Sequence, residues 1–128
     1  MDLKTLYGDN ADLTALTARI NALEKRFETL EGVKPEHLFS SSGRAEILGN
    51  HTDHNRGKVL AAAVNLDTLA AVSPRADGVV NIHSEGYAPL TLSLDDLSVH
   101  EAEKGTTAAL VRGVANGLQK AGLRVGGF

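Results

Sequence analysis

The sequence predicts an α+β fold in which one helix precedes several strands and another helix follows them. Apolar residues recur every three or four positions near the N-terminus, shorter apolar runs separated by turn formers fill the middle, and a second helical pattern lies near the C-terminus. The 128 residues include no cysteine, which excludes disulfides and thiolate chemistry. The net charge of -3 and the lack of a Lys/Arg cluster argue against nucleic acid and anionic membranes as partners.

The first helix is predicted over about residues 10–31. Its apolar residues form one stripe, which is too short for a coiled-coil seam and favours packing on a sheet or another helix: Leu13, Leu16, Ile20, Leu23, Phe27 and Leu30. We expect Asp9 or Asn10 to cap its start and Asp12 to lie in its first turn. Gly32 and Pro35 should end it.

Strands are predicted over about residues 38–94. The apolar run at residues 59–74 suits either a buried strand or a helix, and we favour a strand because the turn formers at 74–78 then lead into "VVNIHSEG". The run at 90–94 alternates apolar and polar residues, as a half-buried strand should. Asp67 interrupts the long run. If it is buried it needs a partner, for which Arg44 is a candidate, and otherwise it faces water.

The second helix is predicted over about residues 106–121, with a threonine cap at its start and Gly122 at its end. Gly113 and Gly117 indicate either close approach to a neighbouring backbone or loose packing. Arg112 is expected on the surface, and the closing "LRVGGF" looks like the start of a further strand. With no signal peptide and no apolar run long enough to span a membrane, the expected location is the cytoplasm.

A dense polar stretch, "GNHTDHNRG" at residues 49–57, separates two apolar runs. Its asparagine, aspartate and glycine residues are ordinary turn formers, so a solvated hairpin loop is one interpretation. A metal site built on His51, Asp53 and His54 is a weaker one, because three ligands within four residues seldom converge on one ion. A third interpretation is a binding site for a polyhydroxylated ligand, because carboxylate, imidazole and amide groups together donate hydrogen bonds to hydroxyls and accept hydrogen bonds from them.

The segment "GRAEILGNHTDHNRG" resembles the N-terminal signature of the galactokinases, which belong to the GHMP small-molecule kinases. The matching positions are Gly43, Arg44, Glu46, Gly49, His51, Thr52, Asp53, Asn55 and Gly57. The resemblance extends from about residue 38 to the end of the chain. It implies the N-terminal part of a GHMP-kinase (ribosomal protein S5 domain 2-like) fold, a mixed or antiparallel sheet with helices packed on it, here incomplete.

The resemblance also implies an activity, namely ATP-dependent phosphorylation of the anomeric hydroxyl of galactose. It implies that Asn50, His51 and Asp53 contact the sugar and that Arg44 lies near the phosphoryl path. There a fixed positive charge would stabilise the transferring group. The implied cofactors are ATP and Mg²⁺, bound by parts of the family's fold that lie beyond these 128 residues. No metal site is expected within the chain.

The sequence departs from the family pattern in two ways. Asn50 stands where the family usually has Glu, so a related anomeric sugar kinase with altered preference, or a sugar sensor without turnover, are the alternatives. The Gly/Ser phosphate loop of the family is missing, and so is its catalytic Asp. We therefore expect an N-terminal piece of a longer kinase, inactive alone, a weak sugar binder at best and able to self-associate through an unpaired sheet edge.

Overall fold

The computed structural model describes residues 2–49 and 56–128, which fall into two compact units, Met1–Val72 and Ser73–Phe128. Each unit combines helix with a two-stranded antiparallel sheet, so the α+β prediction is confirmed. The described strands form two small sheets where the sequence predicted one. The physical reason is that the chain leaves the first sheet at Val72 and the main chain of Arg75 then bonds to Gly127 instead.

The first unit begins with a short helix that the sequence pattern does not indicate. Helix α1 spans Leu3–Tyr7, and the Asp2 side chain caps it by accepting a hydrogen bond from the Lys4 amide at 3.1 Å. Five residues are too few to show a 3.6-residue period, so hydrophobic patterning could not find this helix. It brings the Tyr7 hydroxyl to the candidate site described below.

Helix α2 spans Leu13–Glu31 and carries the predicted apolar stripe, whose central residues are half-buried. The cap differs from the expectation. Asp12, rather than Asp9 or Asn10, accepts a hydrogen bond from the Ala15 amide at 3.0 Å, and so it lies before the first turn. Gly32 ends the helix in the left-handed conformation at φ 73°, as predicted.

Two long strands complete the first unit. Strand β1 spans His37–Leu48 and strand β2 spans Leu60–Val72, and they pair antiparallel along most of their length. The strand interpretation of the long apolar run is therefore confirmed. Helix α2 packs against part of β2.

The second unit is built on a short hairpin and one helix. Strand β3 (Val79–Ile82) pairs antiparallel with strand β4 (Leu90–Ser93), and helix α3 (Thr107–Lys120) follows a single 3-10 turn at Glu101–Glu103. The buried hydrophobic residues of the described chain are all in this unit: Val80, Leu92 and Ala115.

The sequence predicted the start of a strand in the closing segment, where the structure has an isolated bridge between Gly127 and Arg75 and two further main-chain bonds. The Phe128 amide donates to the Val79 carbonyl at 3.0 Å, and the Asn81 amide donates to the Phe128 carbonyl at 2.8 Å. This pair of bonds around Val80 is the pattern of a parallel ladder. Gly127 allows the close approach, because a Cβ there would lie 2.5 Å from the Val79 carbonyl oxygen.

The two glycines of α3 do not mark a close backbone approach. A Cβ at Gly113 or Gly117 would meet no atom within 4 Å among the described residues, so the first interpretation of this pair was wrong. Both positions are exposed. Across the described ranges, no helix combines the length and apolar character needed to cross a bilayer.

Candidate functional site

The β1–β2 hairpin carries the polar signature between its strands. The last pair before the connection is Leu48 with Leu60, and residues 49–59 join the two strands in sequence. Two register shifts interrupt the ladder on the side of the connection, between Ser42 and Arg44 and between Glu46 and Leu48. Bulges of this kind bend a strand and redirect its side chains, and they are common next to functional sites.

Gly49 occupies a position that only glycine fits. Its φ is 117°, a conformation that side-chain-bearing residues rarely adopt. A Cβ there would lie 2.7 Å from the Lys58 carbonyl oxygen and 2.8 Å from the Val59 Cα. The two strands therefore approach each other closely at the entrance to the connection, and this close approach accounts for the glycine in the signature.

Arg44, the predicted catalytic residue, lies on β1 directly after the first register shift and pairs with Ala63. It is exposed. Among residues 2–49 and 56–128, no hydrogen bond or ion pair engages its guanidinium. The guanidinium is thus accessible from solvent, as a group that meets a ligand must be. Its proposed role in phosphoryl transfer stays a prediction.

The predicted sugar-binding residues Asn50, His51 and Asp53 lie outside the described residues, and so does His54 of the alternative metal site. The structure therefore leaves all four assignments as predictions. Within the described ranges, no group of three or more His, Asp or Glu side chains could hold a metal ion. We assign no Mg²⁺ or ATP contact to any described residue.

A carboxylate with little exposed surface links four elements of the first unit. The side chain of Asp67 on β2 is only 6% exposed. It accepts hydrogen bonds from the Ser40 hydroxyl on β1 at 2.6 Å and from the Tyr7 hydroxyl on α1 at 2.5 Å. Arg19 on α2 forms an ion pair with the same carboxylate and also donates to the Asp67 main-chain oxygen at 2.8 Å. We call these four residues the Asp67 cluster.

The partner of Asp67 is thus Arg19 and not Arg44. The sequence signalled only that a carboxylate within an apolar strand needs a partner, and that signal was correct. Arg19 is 48 positions away along the chain, so no local spacing could identify it. The packing of α2 on β2 decides the pairing.

Hydrogen bonding lowers the pKa of Asp67 from 3.8 to about 2. The Ser40 hydroxyl contributes most, followed by the Tyr7 hydroxyl and the Arg19 guanidinium. All three donate to the ionised form and so favour it over the neutral acid.

Because its pKa is lower in the folded chain than in the unfolded chain, Asp67 stabilises the fold above pH 3.8, and this contribution is lost as the pH falls towards 2. We expect the difference in unfolding free energy between the wild type and Asp67→Asn to shrink over that interval. Amide hydrogen exchange of β2, measured at several pH values, checks this. A difference that stays constant down to pH 2 would contradict it.

The second unit contains an ion pair that corrects another expectation. Arg112 was expected on the surface, but its side chain is only 11% exposed and donates to Glu103 from Nε and Nη2 at 2.9 and 2.8 Å. The hydrogen bonds from Arg112 lower the pKa of Glu103. Arg112 also bonds to the main-chain oxygen of Asp96, so it holds the segment before α3 against the helix.

A cavity of about 270 Å³ lies beside this ion pair, between α3 and residues 97–105. Its polar lining includes His100, whose Nε2 lies 3.0 Å from the Asp96 carboxylate. The Ser98 hydroxyl lies 3.5 Å from the same ring nitrogen. In a Ser–His–Asp relay, the serine hydroxyl and the aspartate carboxylate bond to different nitrogens of the histidine ring. These three residues therefore do not form one.

Comparisons with known proteins agree with the signature on the hairpin. The galactokinase galactose-binding signature matches residues 25–74, which include the end of α2, both strands and their connection. The chain is 36% identical over 100 residues to a galactokinase of Streptomyces coelicolor, a match that covers 77% of this chain and 25% of the relative.

Two further galactokinases show similar matches. That of Streptococcus thermophilus is 33% identical over 103 residues, which cover 78% of this chain and 26% of the relative. That of Clostridium perfringens is 33% identical over 109 residues, which cover 83% of this chain and 28% of the relative. This sequence therefore spans about a quarter of the length of the curated relatives it matches. With the signature located on the hairpin and these relatives aligned across most of its length, the chain belongs to the galactokinase family.

Proposed function

We propose that this chain is the sugar-binding N-terminal part of an ATP-dependent galactokinase that phosphorylates the anomeric hydroxyl of galactose. The observation that carries the proposal is the galactose-binding signature at residues 25–74. The signature includes the β1–β2 hairpin, where Gly49 lies too close to Lys58 and Val59 for any residue with a side chain. The match to curated galactokinases over about four fifths of the chain supports it.

In the proposed site, Asn50, His51 and Asp53 bind the sugar. A carboxylate accepts hydrogen bonds from two hydroxyls at once, whereas imidazole and amide groups both donate and accept. Hydrogen bonds to a charged acceptor contribute about 1.5–3 kcal/mol each, so Asp53 would contribute most to the choice of epimer.

Arg44 carries the charge that the reaction needs. In phosphoryl transfer the attacking anomeric oxygen bonds to the γ-phosphorus of ATP, the bond to the leaving ADP oxygen breaks, and the hydroxyl proton passes to a base. Most of the catalysis comes from positioning and from stabilising negative charge on the transferring group. An exposed guanidinium within the signature is suited to that task. ATP and Mg²⁺ would bind to parts of a galactokinase that this chain does not match.

The direct test is phosphate transfer by the complete gene product. With MgATP and a panel of hexoses, we expect transfer to galactose at a higher kcat/KM than to its epimers, and no transfer by the 128-residue chain alone. Calorimetry with galactose distinguishes the alternatives. Binding without turnover would replace the proposal with a sugar sensor, and faster turnover of another hexose with an altered specificity.

Asn50 is the residue on which that alternative specificity depends. If the amide at this position sets the preference, Asn50→Glu should change the ratio of kcat/KM between galactose and its epimers. An unchanged ratio would remove Asn50 as a specificity determinant.

A further inference from the structure

The register shift before Arg44 is unusually large. Ser42 pairs with Asp67 and Arg44 pairs with Ala63, so Gly43 alone on β1 stands opposite three residues of β2, at positions 64–66. The extra residues lie on β2, so β2 is the strand that bulges and bends here, with Gly43 of β1 opposite the bulge. Arg44 is the first β1 residue that pairs beyond this bulge, so the bulge on β2 determines which β2 residue Arg44 faces.

The backbone at Gly43 is tightly enclosed. A Cβ there would lie 3.1 Å from Val64 Cγ2 and 3.2 Å from the main-chain oxygen of Leu66, the residue directly before Asp67. The position of β2 next to Asp67 therefore controls the conformation that β1 adopts one residue before Arg44.

The Asp67 cluster anchors that part of β2 to both helices. The Asp67 carboxylate bonds to Ser40, Tyr7 and Arg19, and its main-chain oxygen accepts a second bond from Arg19. Both the side chain and the backbone of Asp67 are therefore held. Within the described residues, no hydrogen bond holds the Arg44 side chain.

We propose that Asp67 is a positioning residue for Arg44. It fixes β2 against the two helices, the β2 bulge at residues 64–66 encloses Gly43, and this enclosure holds β1 so that Arg44 is in place for the phosphoryl group. This inference rests on the proposed function of Arg44. It goes beyond that function by assigning a role in turnover to a residue that contacts neither substrate nor nucleotide.

The test is a double-mutant cycle in the complete gene product, with Asp67→Asn, Arg44→Ala and the double variant. Misplacing a catalytic group by about 1 Å costs up to about 100-fold in rate. We expect Asp67→Asn to lower kcat about tenfold with galactose KM within about twofold. In the Arg44→Ala background we expect it to lower kcat by less than about twofold, because coupled residues are not additive.

An equal loss of kcat in both backgrounds would overturn the proposal, since a merely structural role acts independently of Arg44. An unchanged kcat in Asp67→Asn would overturn it as well. The matched control is Glu103→Gln, which breaks the Arg112 ion pair in the other unit. Any loss of kcat caused by Glu103→Gln should be equal in the wild-type background and in the Arg44→Ala background.

Two further measurements keep the proposal testable. If Asp67→Asn does not fold, Arg19→Met removes one partner while Ser40 and Tyr7 still bind the carboxylate, and the same coupling to Arg44 is expected. If the wild type does not phosphorylate galactose, the proposed function is wrong. Amide exchange in the 128-residue chain then tests separately whether Asp67 holds the backbone around Arg44. Exchange at residues 43–46 should be faster in Asp67→Asn than in Glu103→Gln, and equal exchange would refute the positioning role.

Discussion

Replacing Arg44 by alanine is expected to lower the kcat for galactose about 10²–10³-fold in the complete gene product, with galactose KM within about threefold. The reason is that the guanidinium is proposed to act on charge that develops only during phosphoryl transfer, so its loss leaves sugar binding nearly intact. Steady-state kinetics at saturating MgATP measure the effect.

Two variants make this result specific. Arg44→Lys keeps the charge but loses the planar fork of donors, so an intermediate kcat is expected. Arg26→Ala removes an exposed arginine from α2 and should leave kcat unchanged. If Arg44→Ala retained the kcat of the wild type, Arg44 would have no part in the transfer step.

Replacing Gly49 by alanine is expected to destabilise the hairpin unit by about 3 kcal/mol and to weaken galactose binding by the complete gene product. Two effects add at this position. The φ of 117° is strained for any residue with a side chain, and the new Cβ would lie 2.7 Å from a main-chain oxygen of Lys58. The strands would have to separate at the entrance to the signature. Urea unfolding of the 128-residue chain and sugar titration measure the two losses.

Other glycines provide controls that separate the two effects. Gly8 has a φ of 84° but open space around its Cβ position, so Gly8→Ala should show the conformational strain alone. Gly113 lies within α3 in open space, and Gly113→Ala should stabilise the helix by about 0.5–1 kcal/mol. A Gly49→Ala variant as stable as Gly8→Ala would show that the close approach to Lys58 carries no cost.

Local signals in the sequence predicted most of the elements. The apolar stripe and Gly32 identified α2, the run before Pro74 identified β2, and the threonine pair at 106–107 marked the start of α3, where Thr106 is the cap. These predictions succeeded because periodicity, caps and turn formers act between residues that are close in the chain. Helix α1 was missed because five residues are too short for a period.

Some residues of the candidate site could be predicted from the sequence, and others could not. The signature and its arginine were visible in the sequence because the matching residues fall within fifteen positions. The Asp67 cluster was not visible, because its members come from α1, α2, β1 and β2, and only folding brings them together. Arg112 was misjudged for a related reason, since its partner Glu103 precedes α3 and only the geometry of the intervening turn brings the two together.

By itself, the sequence determined the α+β class, the positions of the long helices and strands and membership of the galactokinase family, because each of these depends on contiguous residues. The tertiary structure alone decided which arginine neutralises Asp67, where the ladder breaks before Arg44 and why Gly49 must be glycine. Each of these depends on how closely segments distant in sequence approach one another, a quantity that side-chain packing and backbone hydrogen bonds set only after the chain has folded.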